Sequence, residues 1–246
     1  MIIGSKKLFF RNLPSTNSHA ALLLKEKKLP EGTIIHTNFQ KAGKGYSGNK
    51  WESEDSKNLL FSIIIYPAFV KASDQFYISM SISLGICDFL QGIIPGCSVK
   101  WPNDIYIKND KIAGILIEST IIADKIESSI VGIGLNVNQQ KFITDAPNPV
   151  SISQISGMIY DLEIIMKGLA TDIDRRYKQL IAGEMAEIKN EYISNLYRLN
   201  EWSLYRDITG IFSGRILTIG EFGSLIIERP DLGIRTYAFK EIEFIL

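Results

Sequence analysis

The apolar run from Asn58 to Tyr66 constrains the fold of this chain more than any other segment. Ile, Leu and Phe occupy successive positions, and Ser62 is the one polar residue between Leu59 and Ile65. A strand that is apolar at both odd and even positions is typical of a sheet covered on both faces. The run is far too short to cross a bilayer. We therefore expect a soluble protein with a buried central strand.

Helical and strand patterns surround this run. Residues 75–90 combine helical spacing of large apolar side chains with a face of small residues, which predicts a helix packed closely on a sheet. Residues 105–107 and 111–118 predict a hairpin, and residues 126–138 predict a further strand. Residues 152–199 show long helical runs. The predicted fold class is α/β (α+β), with a mixed, mostly antiparallel sheet flanked by helices.

The pattern changes again after Trp202. Residues 208–246 contain at least four short alternating segments separated by Gly, Asp or Pro. Short strands at regular spacing predict a small antiparallel barrel. We place the boundary between a larger domain, residues 1–203, and a small β domain, residues 204–246.

Charge and the N-terminal sequence exclude several classes of protein. Lys plus Arg and Asp plus Glu both number 27, so the formal net charge is zero. Nonspecific nucleic-acid binding needs an excess of basic residues, which this chain lacks. Residues 1–7 do not show the layout of a signal peptide. We expect a cytoplasmic protein that binds neither nucleic acid nor membrane.

Three segments carry candidate chemistry, and the first is the loop of residues 40–51. Gly43 and Gly45 allow the backbone to approach a ligand and to turn its N–H groups toward an anion, while Lys44 and Lys50 add positive charge. The spacing matches neither the P-loop nor the dinucleotide-binding motif. Taken alone, this segment is explained as simply by a solvated surface loop.

The second segment, Lys100 to Leu116, places polar residues beside apolar strands. Asn103 offers both a hydrogen-bond donor and an acceptor, which suits a nucleobase or a ureido ring. Lys111 precedes an apolar strand and could reach into a site as a fixed cation. The alternative is a β-turn at residues 102–104 with Lys111 fully solvated. The turn itself is compatible with a binding role for Asn103, so only the position of Lys111 distinguishes the two interpretations.

The third segment, Val131 to Asn138, has glycines in strand register. Gly132 and Gly134 allow a flat ligand to pack closely against the backbone. A strand that merely tolerates two glycines is an alternative that this segment alone does not exclude.

Together the three segments resemble the biotin protein ligase family in their order and spacing. Ser15-Thr16-Asn17 is similar to a Ser-Thr-Asn segment near the start of the family's catalytic domain, and Lys100 to Glu118 is the most specific part. The resemblance covers roughly the first 200 residues well and the C-terminal part more loosely. It implies a class II synthetase-like catalytic domain that binds biotin and ATP over residues 1–203, followed by an SH3-like barrel over residues 204–246.

The resemblance also implies the reaction. In this family the biotin carboxylate attacks the α-phosphate of ATP, with Mg²⁺, to give biotinyl-5'-AMP and pyrophosphate. A lysine amine of a biotin carboxyl carrier domain of a biotin-dependent carboxylase then attacks that intermediate. Only fourteen residues precede Ser15, so a DNA-binding helix-turn-helix is not expected. We expect a monofunctional ligase, present as a monomer or a homodimer.

Residue roles follow by the same resemblance. Lys111 and Lys44 are the expected catalytic cations, because a carboxylate that approaches a phosphate needs its repulsion offset. Asp104 is expected to hold Mg²⁺ together with the ATP phosphates. The expected biotin-binding residues are Ser15, Thr16, Asn17, Gln40, Gly43, Lys44, Gly114 and Gly132. The expected ATP- and adenylate-binding residues are Gly45, Tyr46, Trp51, Asn103, Asp104, Lys111 and Asn136.

The loop departs from the family pattern at several positions. Many relatives carry Arg where this chain has Tyr46, and Lys44 also replaces a common Arg, which keeps the charge and loses bidentate geometry. Asn49 supplies no cation either. We predict that neighbouring lysines such as Lys50 share the task, or that the adenylate is released more readily. Release of biotinyl-adenylate without carrier, compared with an Arg-bearing relative, tests this prediction.

Two other functions remain open from the sequence. Lipoate or octanoyl transfer uses the same fold, although such enzymes look less similar in the Lys100 to Asp104 region. A noncatalytic binding module is the second alternative, and the presence of Lys111 argues against it. The acid that triggers pyrophosphate release from ATP distinguishes the two transfer reactions.

Overall fold

A computed structural model describes residues 1–45, 48–143 and 148–245. The larger sheet contains β1 (Lys7–Leu13), β2 (Ile34–Gln40), β3 (Leu59–Ile65), β4 (Cys97–Lys100), β5 (Asp104–Ile107), β6 (Asp110–Ile122) and β7 (Lys125–Leu135). The helices are α1 (Thr16–Glu26), α2 (Phe76–Gln91), α3 (Ile152–Ser156), α4 (Leu162–Ile181) and α5 (Met185–Ser194). A second sheet, called here the C-terminal sheet, contains β8 (Trp202–Asp207), β9 (Gly210–Ile219), β10 (Leu225–Arg229), β11 (Gly233–Tyr237) and β12 (Glu243–Phe244).

The larger sheet is mixed and mostly antiparallel, as the sequence predicts. Its strands follow the order β1-β2-β3-β7-β6-β5-β4. The pair β1 and β2 is parallel, and the other neighbouring pairs are antiparallel. The fold class, a mixed sheet flanked by helices, is confirmed. The C-terminal sheet is antiparallel, which is consistent with the small β domain expected there.

Strand β3 lies near the centre of the sheet and is buried on both faces. All seven of its residues are buried. Ile63 and Ile65 pack in the main core with α2 and α4, whereas Ile64 packs with Ala20 of α1 on the opposite face. The continuous apolar run therefore reflects two helical layers, one on each side of the strand.

Local sequence patterns predict some of the other elements and miss one strand. The hairpin of β5 and β6 turns at Lys108, as expected. Strand β1 is not predicted, because Leu8 and Phe10 are only partly covered and Phe9 is exposed. The small face of α2 meets a helix as well as the sheet, since a Cβ on Gly85 would lie 2.8 Å from the Ile173 Cα of α4.

The C-terminal sheet docks beside the end of β4. The Trp101 indole N–H donates to the Gly223 carbonyl at 2.8 Å, and the Trp101 and Phe239 rings lie 5.3 Å apart. Gly223 has φ +79°, and a Cβ there would lie 2.3 Å from the Phe76 ring. This packing brings the C-terminal sheet to one side of the Lys100 to Asp104 segment.

Among the described residues, no helix is both long and apolar enough to span a membrane.

Candidate active site

A pocket forms where the start of α1, the end of β2, strands β6 and β7, and the loop before Trp51 meet. The empty space within the pocket and its mouth, including the solvent that is open to it, is about 440 Å³. Its described lining residues are Ser15, Thr16, Asn17, Gln40, Lys44, Gly45, Trp51, Asn103, Asp104, Lys111, Gly114, Ile115, Leu116, Gly132, Ile133 and Gly134. Residues from the three candidate segments, far apart in the chain, thus share one cavity.

Most of the described residues proposed from the sequence lie in this lining, and Gly43 and Asn136 do not. Gly43 is a buried residue of the loop itself, and Asn136 directly follows the end of β7. Tyr46 falls outside the described residues. The lining also includes Gly134 of the third segment, and Ile115, Leu116 and Ile133, for which the sequence predicts no role. Ile115 and Leu116 directly follow Gly114 on β6, and Ile133 lies between Gly132 and Gly134 on β7. Their position next to proposed residues of the same strand could have indicated them.

The start of α1 forms the polar end of the pocket. Ser15 is the N-cap residue, with extended backbone geometry and its hydroxyl facing the Ser18 N–H. Hydroxyl N-caps satisfy the free amides of the first helical turn. The Thr16 N–H donates to the Gln40 side-chain oxygen at 2.7 Å, and the Thr16 hydroxyl donates to the same oxygen at 3.2 Å. Helix α1 and strand β2 are therefore joined directly at the pocket.

Asn17 is the most constrained polar side chain of the pocket. It is buried, and its amide N–H groups donate to the Leu116 carbonyl at 3.1 Å and to the Glu118 carboxylate at 2.8 Å. Its oxygen accepts a 2.6 Å bond from the Ser62 hydroxyl. A Cβ on Gly132 would lie 2.3 Å from that oxygen. Glycine is thus required at position 132 by the packing of Asn17.

The Trp51 indole packs over two paired glycines of neighbouring strands, Gly114 of β6 and Gly134 of β7. A Cβ added to Gly114 would lie 2.9 Å from the indole, and a Cβ added to Gly134 would lie 2.3 Å from it. The indole nitrogen is buried and has no hydrogen-bond partner among the described residues. The paired glycines therefore leave room for the Trp51 indole against the backbone, and the packing of a ligand on residues 131–138 stays a prediction.

Lys111 and Asp104 form an ion pair in the pocket. The Lys111 ammonium lies 2.7 Å from the Asp104 carboxylate, and the two side chains are 23% and 21% exposed. The same ammonium lies 5.7 Å from the centre of the Trp51 ring. The Lys111 N–H donates to the Asn148 carbonyl, and its own carbonyl accepts from Val150. The lysine is thus held by its backbone and directed into the cavity rather than toward bulk solvent.

Both asparagines that were proposed to bind ATP make internal bonds. The Asn103 amide donates to the Ile115 carbonyl at 2.8 Å while the residue still lines the pocket. Asn136 donates to the Val150 carbonyl at 3.1 Å, so its side chain supports the segment that flanks Lys111. The structure does not bring Asn136 into the pocket, because β7 ends at Leu135 and the chain turns toward α3 there.

The loop before Trp51 is a narrow hairpin over its described residues 43–45 and 48–51. Lys44 and Lys50 form an antiparallel bridge, and the Gly45 N–H donates to the Asn49 carbonyl at 2.7 Å. The Gly43 carbonyl accepts from the Trp51 N–H at 3.0 Å, and a Cβ on Gly43 would meet the Trp51 carbonyl at 2.6 Å. The absence of a side chain at Gly43 therefore allows the two arms of the hairpin, which carry Lys44 and Trp51, to approach each other closely.

A wider cleft continues from the pocket toward the C-terminal sheet. It shares Trp51, Asp104 and Lys111 with the pocket and holds about 1580 Å³. Lys100 lies in this cleft, where its ammonium donates to the Tyr106 hydroxyl at 3.2 Å and lies over the Phe244 ring. Burial lowers the pKa of Lys100. The further basic side chains of the cleft are Lys50, Arg206 and Lys240.

Comparisons with known proteins agree with this geometry. The model of the Biotin/lipoate A/B protein ligase family matches residues 9–136. The chain is 28% identical to the bifunctional ligase/repressor BirA of Bacillus subtilis over 98% of this chain and 75% of the relative. It is 29% identical to the biotin--[acetyl-CoA-carboxylase] ligase of Paracoccus denitrificans over 88% and 91% of the two chains. Among solved structures, the biotin protein ligase from Aquifex aeolicus in complex with biotin and ATP superposes with a TM-score of 0.80. The two sequences are 26% identical, and the superposition covers 98% of this chain and 99% of the Aquifex aeolicus chain.

Proposed function

Because the chain belongs to the Biotin/lipoate A/B protein ligase family, we propose that it is an ATP-dependent biotin protein ligase. It forms biotinyl-5'-AMP from biotin and ATP and transfers the biotinyl group to a specific lysine of a biotin carboxyl carrier domain. The observation that carries the proposal is the end-to-end agreement with a biotin protein ligase that was solved with biotin and ATP. The residues that line the pocket described above include polar groups and cations that suit these two ligands.

The first step joins two anions. A carboxylate oxygen of biotin attacks the α-phosphorus of ATP, a P–O bond forms, and pyrophosphate leaves. Lys111 lies inside the pocket and Lys44 lies at its rim, so both ammonium groups reduce the repulsion between the reacting groups. When the negatively charged α-phosphate arrives, it competes with Asp104 for the Lys111 ammonium, which is within 2.7 Å of that carboxylate.

The second step transfers the acyl group to the carrier. The lysine amine of the carrier attacks the carbonyl carbon of biotinyl-5'-AMP, an amide bond forms, and AMP leaves. The cleft between the pocket and the C-terminal sheet provides a path for that lysine, because it opens directly onto Lys111 and Trp51.

The polar end of the pocket suits the ring system of biotin. Thr16, Asn17 and Gln40 offer donors and acceptors for the ureido group, and Gly114 and Gly132 allow close approach along the strands. The Trp51 indole, held against Gly114 and Gly134, offers a flat surface for the adenine ring. These assignments are proposals that rest on the position of the residues in one cavity.

Mg²⁺ fits the single carboxylate of the described lining. Among the described residues there is no cluster of three or more His, Cys, Asp or Glu side chains that could hold a metal. Mg²⁺ typically uses one or two carboxylates together with substrate phosphates. Asp104 would hold the ion with the ATP phosphates, and the ion would supply charge neutralisation there.

The partner and cellular setting extend the proposal. We propose that the carrier belongs to a biotin-dependent carboxylase, that the protein acts in the cytoplasm, and that it binds no nucleic acid. The zero formal charge supports the last point. We propose a monomer or a homodimer. A purified chain that bound a specific operator duplex at physiological salt would contradict the third of these proposals.

Incubation of the protein with ATP, Mg²⁺, biotin and a carrier domain is expected to raise the carrier mass by one biotinyl group. Intact mass spectrometry measures the product, and a carrier with its target lysine replaced by arginine is the control. Lipoate in place of biotin is expected to give no product, because its dithiolane ring has no polar group for Thr16, Asn17 and Gln40. Modification with lipoate and none with biotin would favour the alternative transfer reaction.

Ligand binding is expected to change the fluorescence of Trp51. The indole contacts Gly114 and Gly134 inside the pocket, so a ring that enters the pocket alters its surroundings. The change on addition of ATP and biotin should disappear in Trp51→Phe and persist in Trp202→Phe, whose indole is half exposed on the C-terminal sheet. An unchanged signal in Trp51→Phe would show that Trp51 lies away from the ligands.

A further inference from the structure

Glu118 contacts the pocket through another residue. It lies on β6 beyond the pocket lining and is itself exposed, yet its carboxylate accepts a 2.8 Å hydrogen bond from the buried Asn17 amide. The chain separates the two residues by 101 positions. The family resemblance assigns no role to Glu118.

The bonds of Asn17 determine what its side chain can offer a ligand. An amide has two N–H donors, and both are taken by groups that only accept, the Leu116 carbonyl and the Glu118 carboxylate. The oxygen accepts one bond from Ser62, which leaves one further acceptor position. Toward the pocket, Asn17 can therefore accept a hydrogen bond and cannot donate one.

We propose that Glu118 is a positioning residue that fixes Asn17 as a hydrogen-bond acceptor and so selects a substrate ring with an N–H group. This inference rests on the proposed function, since the ureido ring of biotin carries such N–H groups. Without the carboxylate, one amide N–H loses its acceptor, and only the bonds to Leu116 and Ser62 hold the orientation of the side chain. An N–H that turns toward the pocket would then face an N–H of the substrate.

The test compares Glu118→Leu with Glu118→Gln in steady-state kinetics. Leucine removes the acceptor and keeps similar volume, and glutamine keeps an oxygen that can accept the same bond. Glu118→Leu is expected to raise the KM for biotin about five-fold with unchanged kcat and KM for ATP. That effect is below the range for a bond to a charged group and within the range for an ordinary hydrogen bond, because the carboxylate is exposed. Glu118→Gln is expected to stay within about two-fold of the unmodified protein.

Glu127→Leu is the matched control. Glu127 is an exposed carboxylate on the neighbouring strand β7, so this substitution removes the same charge and adds the same apolar side chain. It should leave the KM for biotin unchanged. Thermal unfolding of Glu118→Gln and Glu127→Leu should match that of the unmodified protein. Glu118→Leu should unfold at a slightly lower temperature, because the buried Asn17 N–H loses its acceptor, and it should still be folded at the assay temperature.

The inference is overturned if Glu118→Leu keeps the original KM for biotin, if it lowers kcat without a change in that KM, or if Glu127→Leu has the same effect. Failure of the proposed function has a different signature, because the unmodified protein would then modify no carrier with biotin.

Discussion

Replacement of Lys111 by alanine is expected to slow biotinyl-adenylate formation by about a hundred-fold or more. The loss of one preorganised electrostatic group from an active site commonly costs this much. Lys111 is fixed in the pocket by its backbone bonds to Asn148 and Val150, and its side chain is only 23% exposed. Without it, the biotin carboxylate meets the α-phosphate with less opposing charge. Pyrophosphate release in the presence of biotin and ATP measures the rate.

Two controls separate chemistry from folding in that experiment. Lys125→Ala removes an exposed lysine at the start of β7 and is expected to leave the rate unchanged. Lys111→Ala should unfold cooperatively at a lower temperature, because the mostly covered Asp104 carboxylate loses its partner, and it should still be folded at the assay temperature. Full activity in Lys111→Ala would contradict the proposed role of the lysine.

Substitution of Gly132 by alanine is expected to weaken biotin binding by about a hundred-fold. The new methyl group would lie 2.3 Å from the Asn17 oxygen, and Asn17 cannot move without loss of its bonds to Leu116, Glu118 or Ser62. Displacement of a positioning group by about 1 Å can cost this much in an active site. The stability cost should be about 1–3 kcal/mol, the usual range for overpacking, so the protein should still fold. Isothermal titration with biotin measures the affinity.

Non-additivity shows whether Asn17 is the cause of that effect. If the clash is responsible, Asn17→Ala with Gly132→Ala should bind biotin as Asn17→Ala does alone, because the shared contact is already gone. Gly92→Ala is the control, since a Cβ there meets its nearest atom at 3.4 Å. Independent, additive losses in the double variant would mean that Gly132 contacts biotin directly rather than through Asn17.

The residues of the pocket are easier to predict from the sequence than the hydrogen bonds that hold them in place. Lys111, Asp104 and Trp51 were proposed from motifs, and the structure places them together in one cavity. Glu118 and Ser62 were not proposed, because a glutamate on an exposed strand and a serine in an apolar run have no local feature that indicates a site. Asn136 was proposed from its motif, and the end of β7 places it outside the lining.

Features that depend on neighbouring residues in the chain can be predicted from local sequence patterns. The buried strand β3, the Ser15 cap of α1 and the turn at Lys108 follow from periodicity and local hydrogen bonding. The tertiary structure alone decided which donors and acceptors face the pocket. Asn17 meets Leu116 across 99 positions of chain, and such pairing depends on strand order and register, which local patterns do not encode. The same holds for the C-terminal sheet, whose position beside the pocket depends on the contact of Trp101 with Gly223.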